Sequence, residues 1–193
     1  MSIKFSSKRA PYSGIDIPYS NSGQYIGMRG RVVYTGATGY TGTVTVQTNE
    51  DSTLKTGIKV ISRFYDNKNG TYTDLATGLM WVYDQANVLA AKDTWYACLT
   101  AVDALTYAGW SDWRMPTILE LLTLVDWGKT SSATMYAAIA GRDPGGTYWS
   151  STTCGVSNDK ANYVNYYTAG GVNQSLKTTA SYGWCKAVRG PIL

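Results

Sequence analysis

A chain of 193 residues with 44% hydrophobic and 16% charged side chains is not an intrinsically disordered polymer, and it holds enough apolar material to close one core. The net charge of +4 is spread thinly, with Lys8-Arg9 its one adjacent basic pair, so no stripe suits a phosphate backbone and nucleic acid is not expected as a partner. No apolar run approaches the roughly 20 residues that cross a bilayer, and the polar, Ser-rich start lacks the apolar stretch of a secretory signal.

Aromatic residues make up 13% of the chain, as 16 Tyr and 7 Trp against 2 Phe. Tyr and Trp carry polar tips, so this choice favours half-buried positions and recognition surfaces. Histidine is absent, which removes the commonest general base and the commonest transition-metal ligand together. No CxxC, HExxH, GxSxG or P-loop spacing occurs. The expectation is a protein that is not an enzyme and requires no cofactor or metal.

In chain order, residues 1–53 form a polar, Gly- and Thr-rich arm. Its alternating runs Arg31-Val32-Val33-Tyr34 and Thr43-Val44-Thr45-Val46 read as short strands, and attachment or oligomerisation is its expected role. Residues 54–193 form the main domain. Ile58 to Phe64 and Tyr72 to Leu75 flank Asp66-Asn67-Lys68-Asn69-Gly70, whose Asn-Gly step accepts the positive φ of a hairpin turn. The cluster is a poor calcium loop, because Lys68 stands where an oxygen ligand is needed and the downstream Glu is missing.

Trp95, Cys98, Leu99, Val102 and Leu105 recur at helical spacing, predicting a helix from about Lys92 to Ala108 that Gly109 ends. A second helix starts after Pro116, with Thr117 as cap, Glu120 completing a capping box, Leu121, Leu122 and Val125 facing inward, and an end near Trp127-Gly128. Asp103, Asp112, Glu120 and Asp126 lie on or beside these helices, where capping and pairing with Arg114 are their expected roles rather than glycosidase-type catalysis. From Tyr148-Trp149-Ser150-Ser151 onward the chain reads as short strands. The order predicts an α+β domain in which two helices support a twisted antiparallel sheet.

Arg63-Phe64-Tyr65-Asp66-Asn67-Lys68-Asn69-Gly70-Thr71, Ala76-Thr77-Gly78-Leu79-Met80-Trp81, Gly109-Trp110, Asp112-Trp113-Arg114-Met115-Pro116-Thr117, Tyr148-Trp149-Ser150-Ser151-Thr152 and Val188-Arg189-Gly190 fall in one order. That series resembles the C-terminal domain of bacterial collagen-like adhesins over about Leu54 to Gly190, and the resemblance implies a C-type lectin fold. The family commonly places a Cys three residues before the final Gly, opposite a Cys on the first helix. Here Ala187 holds that place and the nearby thiol is Cys185; a shift of two keeps the strand face, so a Cys98–Cys185 bond remains open.

The calcium- and sugar-holding triplets of the wider lectin superfamily are missing, Ser157-Asn158-Asp159 preserving only a polar remnant. The chain is also similar, at Arg114-Met115-Pro116-Thr117, to formylglycine-generating enzymes. Their chemistry needs a reactive cysteine pair, which Cys154 and Cys185 would have to supply with nothing local to activate them.

Between Tyr148 and Trp184 the chain is dominated by Tyr, Ser, Asn, Thr and Gly, the mixture of antibody paratopes. In Ala161 to Tyr167, alternation turns Val164 and Tyr166 to the core and Tyr163, Asn165 and Tyr167 toward a ligand, and Asn162 is a further candidate contact. Across Ala169-Gly170-Gly171, Val172 and Leu176 face inward, leaving Asn173, Ser175 and Lys177 beside the first set. Asn158, Asp159 and Lys160, with Thr178, Ser181 and Tyr182, rim that surface; Trp184 is both a scaffold residue and a candidate contact.

Domains of this family resemble the variable proteins of diversity-generating retroelements, in which adenine-directed mutagenesis rewrites surface codons near the C-terminus. That resemblance implies a variable recognition surface for a protein or glycan on a cell or particle surface. A location on a virion or cell surface, reached by a non-classical route, is the corresponding expectation. Two alternatives stand beside it: a fixed-specificity adhesin for sugars or glycosaminoglycans, with Lys160, Lys177 and Lys186 as a basic cluster, and a capsid, tail or surface-layer component with no ligand of its own.

Overall fold

The structure is a computed structural model that describes residues 63–89, 93–127, 129, 134–141, 145–168, 170–180 and 182–190. The expected arm over 1–53, the beginning of the run at Ile58, Lys92, Gly128 and the candidate Ser181 lie outside the described residues.

The elements follow the order β1 (Phe64–Asp66), β2 (Thr71–Asp74), β3 (Met80–Val82), α1 (Gln85–Val88), α2 (Trp95–Asp103), α3 (Ile118–Leu122), β4 (Thr147–Thr153), β5 (Lys160–Asn165), β6 (Gly171–Leu176) and β7 (Val188–Arg189). The α+β class expected from the residue order holds. The single sheet does not: the strands form two antiparallel sheets, ordered β1-β2-β3-β7 and β4-β5-β6.

The β1–β2 turn falls where the Asp/Asn/Gly cluster predicts it, but the positive φ angles belong to Lys68 (60°) and Gly70 (83°), not to the Asn69-Gly70 pair. The Asp66 carboxylate accepts from the Lys68 backbone N–H at 2.8 Å, an Asx turn that holds Lys68 in the left-handed region.

Both predicted helices are shorter than their sequence pattern. Thr94 caps α2 by accepting from Ala97 N–H, and the helix ends at Asp103; Ala108 and Gly109, with φ of 52° and 84°, belong to a separate turn between Tyr107 and Trp110. Leu99, expected in the core, is 37% exposed. Thr117 and Glu120 form the predicted capping box on α3, and Leu121 and Val125 are buried, but after Leu122 the chain continues as turns. Glu120 does further work there. It is fully buried and receives both Nη atoms of Arg114 at 2.8 and 2.6 Å. Asp112 receives Arg189, whose guanidinium lies 3.7 Å from the centre of the Trp110 ring, and this ion pair holds the Asp112 carboxyl below its ordinary range.

Two apolar clusters form the core. One unites Leu79, Trp81, Leu121, Leu124, Tyr148, Val164, Tyr166 and Val188; the other unites Met80, Val82, Trp95, Cys98, Val102, Trp113, Trp149, Ala161, Tyr163 and Cys185. Alternate residues of β3, β4 and β5 enter opposite clusters, so these strands are covered on both faces. The second cluster is cross-linked by a Cys98–Cys185 disulfide with a Cα separation of 5.2 Å, which realises the pairing left open by the sequence. Cys154 is a buried free thiol, not a partner of Cys185.

Candidate ligand-binding surface on the second sheet

The position of the second sheet decides which of its side chains reach solvent. β4 is fixed at its outer side by backbone bonds from Trp149 N–H to Trp184 O at 3.2 Å and from Ser151 N–H to Pro116 O at 2.7 Å. An irregularity between Trp149 and Thr153 lets the Ser150 hydroxyl donate to Asn162 O at 2.7 Å in place of a regular ladder bond. β5 lies between β4 and β6, and β6 is the edge.

The β5–β6 register pairs Lys160 with Leu176, Asn162 with Gln174, Val164 with Val172, Ala161 with Ser175 and Tyr163 with Asn173. Paired residues share a face, so the expected grouping of Tyr163 with Asn173 and Ser175 is present. The depth assigned to each face is not. Tyr163 is 7% exposed rather than outward, because Trp149 and Tyr182 pack against it. Its ring stands edge-on to Trp149 at 5.8 Å and to Tyr182 at 5.1 Å, and the Tyr182 hydroxyl donates to the Tyr163 hydroxyl at 2.5 Å. Burial, followed by that hydrogen bond, pushes the Tyr163 phenol up to about 12.

Val172 and Leu176, expected inside, are 49% and 43% exposed. They share a face with buried Val164, but as edge residues they pass beyond the α3 segment that covers β5. Lys177 is the converse case: expected outward, it is buried, with Nζ donating to Thr153 Oγ1 at 3.1 Å and Asn158 O at 2.9 Å and lying 4.5 Å over the Trp95 ring. It ties loop 157–160 to the end of β6, assisted by Lys177 N–H donating to Asp159 O at 2.9 Å. Lys186 is fully buried as well, so Lys160, Lys177 and Lys186 do not form an exposed basic cluster.

Of the other expected contacts, Asn158, Asp159, Asn173 and Thr178 are exposed, while Lys160, Asn162, Asn165, Ser175, Tyr182 and Trp184 are half-buried. The fold gathers Asn158, Asp159, Lys160, Ser175 and Thr178 at one end of the β5–β6 hairpin. Tyr167, 54% exposed, stands at the other end, about 20 Å away by the rise of a six-residue strand. There it covers Gly145, where an added Cβ would sit 2.5 Å from its ring, and its N–H donates to Asn165 Oδ1 at 2.9 Å. The candidates therefore form a ribbon along β6 with two ends, not one round patch.

Gln174, exposed at the middle of that ribbon, is absent from the residues expected at the surface. Its position between Val172 and Leu176 was the available signal, since a polar residue on a supposedly buried strand face argues for an edge. Among the described residues no group of three His, Cys, Asp or Glu is placed to hold a metal ion, and no helix is long and apolar enough to cross a membrane.

The Lcl C-terminal domain family model matches residues 70–189, well over half of the chain. The chain belongs to the Lcl C-terminal domain family. The match takes in all of β2 to β7, including both halves of the β5–β6 ribbon, and begins after the β1 strand. No curated protein matches the chain.

Proposed function

We propose that this Lcl C-terminal domain is a non-enzymatic, ligand-binding domain of C-type lectin type, whose β6 ribbon and rim loops form a variable recognition surface for a protein or glycan displayed on a cell or particle. One observation carries this reading: β4 and β5 bury residues on both faces, whereas β6 exposes Val172, Asn173, Gln174 and Leu176 from both of its own. Side chains on such a strand can be exchanged with little disturbance of the core, because they surround no buried volume. The exposed Asn158, Asp159, Asn173 and Thr178 interleave with buried Trp149, Val164 and Val188, the separation that an adenine-directed diversification of surface codons requires. Tyr163 and Lys177 belong on this reading to the scaffold, as do Trp149 and Tyr182, whose rings pack against Tyr163.

The glycosaminoglycan alternative loses its electrostatic support with the burial of Lys177 and Lys186. The deciding experiment is to sequence the encoding gene and its flanks. A near-copy of the codons for Tyr148 to Arg189 beside a reverse transcriptase, with mismatches at template adenines and concentrated on Asn158, Asn173 and their exposed neighbours, is the expected result. Absence of any such repeat overturns the diversified reading and leaves a domain of fixed specificity.

A further inference from the structure

A polar cluster is sealed inside the protein, away from the β6 ribbon. Lys186 and Gln85 are both fully buried. Lys186 Nζ donates to Gln85 Oε1 at 3.2 Å and to Ile139 O at 3.0 Å, and it lies 5.6 Å from the centre of the Tyr148 ring. The other end of the same carboxamide is also fixed, since Gln85 Nε2 donates to the Tyr148 hydroxyl at 2.6 Å. Gly141 packs over this group so closely that a Cβ there would stand 3.0 Å from Gln85 Oε1.

Next in the chain, Asp84 accepts from Asn87 Nδ2 at 2.6 Å through one carboxylate oxygen, while its Oδ1 is buried with no hydrogen-bond partner among the described residues. Burial pushes the Lys186 amine down to about 7 against the opposing charge of Asp84, so the neutral, nucleophilic amine is well populated near neutral pH. A primary amine and a primary carboxamide are thus held together in a buried site. Tethering of that kind replaces an encounter in solution by an effective concentration of up to about 10⁵–10⁸ M when the reacting atoms are aligned.

We propose that Lys186 and Gln85 join in an intramolecular amide cross-link, with Lys186 Nζ bonded to Gln85 Cδ and one ammonia released. The Nζ lone pair attacks Cδ and the carbonyl π pair moves onto Oε1. As the carbonyl re-forms, the Cδ–Nε2 bond breaks, and the proton lost by Nζ is balanced by the one gained by departing Nε2. That proton passes from Nζ to Nε2 across the tetrahedral centre, and the Tyr148 hydroxyl, which accepts a hydrogen bond from Nε2, orients the carboxamide. The sum is amine plus carboxamide giving secondary amide plus ammonia, with no oxidant, cofactor or external catalyst. The link closes a loop between positions 101 apart, beside the disulfide at Cys185, and fastens the approach to β7 onto α1.

The test is the intact mass of the full chain after complete reduction of the disulfide, compared with that of the Gln85→Leu and Lys186→Met variants so that any terminal processing cancels. The expected wild-type mass is one ammonia below the value its residues predict, and both variants carry none of that deficit. Tryptic digestion of the wild type should then yield Asn69–Lys92 joined to Thr178–Arg189, uncut after Lys186 because an acylated lysine is not a trypsin site. Tyr148→Phe, as a positioning variant, should fold and show a reduced linked fraction. A wild-type mass with no deficit, with separate peptides ending at Lys92 and Lys186, overturns the proposal whatever the variants do.

Discussion

The Tyr182 hydroxyl donates to the Tyr163 hydroxyl across 2.5 Å, joining the chain after β6 to β5, the strand beside it in the sheet. Because Tyr163 is nearly buried while Tyr182 is half-buried, this bond sets how far the loop reaches over the sheet. A double-mutant cycle on Tyr163→Phe and Tyr182→Phe, followed by urea denaturation, should give a coupling of about 1 kcal/mol, the usual net value of one protein hydrogen bond. A coupling indistinguishable from zero would mean that ring packing alone holds the loop.

The same pair makes an alkaline prediction. Tyr163 ionises near 12 in the folded protein and near the ordinary value of 10.0 when unfolded, chiefly because burial disfavours the phenolate. Tyr166, fully buried, is raised in the same direction. Between these values the folded state retains protons that the unfolded state has released, so the contribution to stability is complete below pH 10 and is lost as pH rises toward 12. Stability measured from pH 8 to 11.5 should fall at the upper end, and Tyr163→Phe should make that fall shallower; an unchanged slope would assign the loss to other groups.

The sequence made some of this legible and obscured the rest for a single physical reason. Capping at Thr117, the position of the β1–β2 turn and the strand parity of Tyr163, Asn173 and Ser175 depend on local backbone geometry, and they stand as expected. Which face is buried depends instead on what packs above it. Alternation presumes one wet face, but Tyr163 lies under Tyr182 and Val172 lies at an edge, so both depths were reversed. Lys177 shows the limit most plainly, since its apolar stem and satisfied Nζ make a buried lysine acceptable where composition alone would place it in water.

Separation of display from scaffold can be measured position by position. Asn158→Ala, Asn173→Ala and Gln174→Ala should each change unfolding free energy by no more than about 0.5 kcal/mol, as exposed substitutions usually do. Trp149→Ala should cost about 3–5 kcal/mol, since it empties a fully buried indole site. Once a ligand is found by screening surface glycans and proteins, the three exposed substitutions should weaken binding without lowering the melting temperature. Exposed-site variants that unfold the domain would show that β6 is structural and not a display strand.

The disulfide offers a separate test of what holds the second core cluster together. Cys98 and Cys185 join α2 to the chain just ahead of β7 across a sequence separation of 87, and each thiol site is buried among Trp95, Trp113 and Trp149. Closing a loop of that size restricts the unfolded chain, so the Cys98→Ser, Cys185→Ser double variant should lose about 2–5 kcal/mol, seen as a lower urea midpoint with a steeper slope, because the unlinked denatured chain exposes more surface. Cys154 stays buried in either form, so a bulky thiol reagent should label no cysteine of the folded wild type and one after unfolding without reductant. Labelling of two or more cysteines under those unfolding conditions would mean that the Cys98–Cys185 bond is not formed in the isolated protein, and the double substitution would then carry only the far smaller cost of replacing buried thiols.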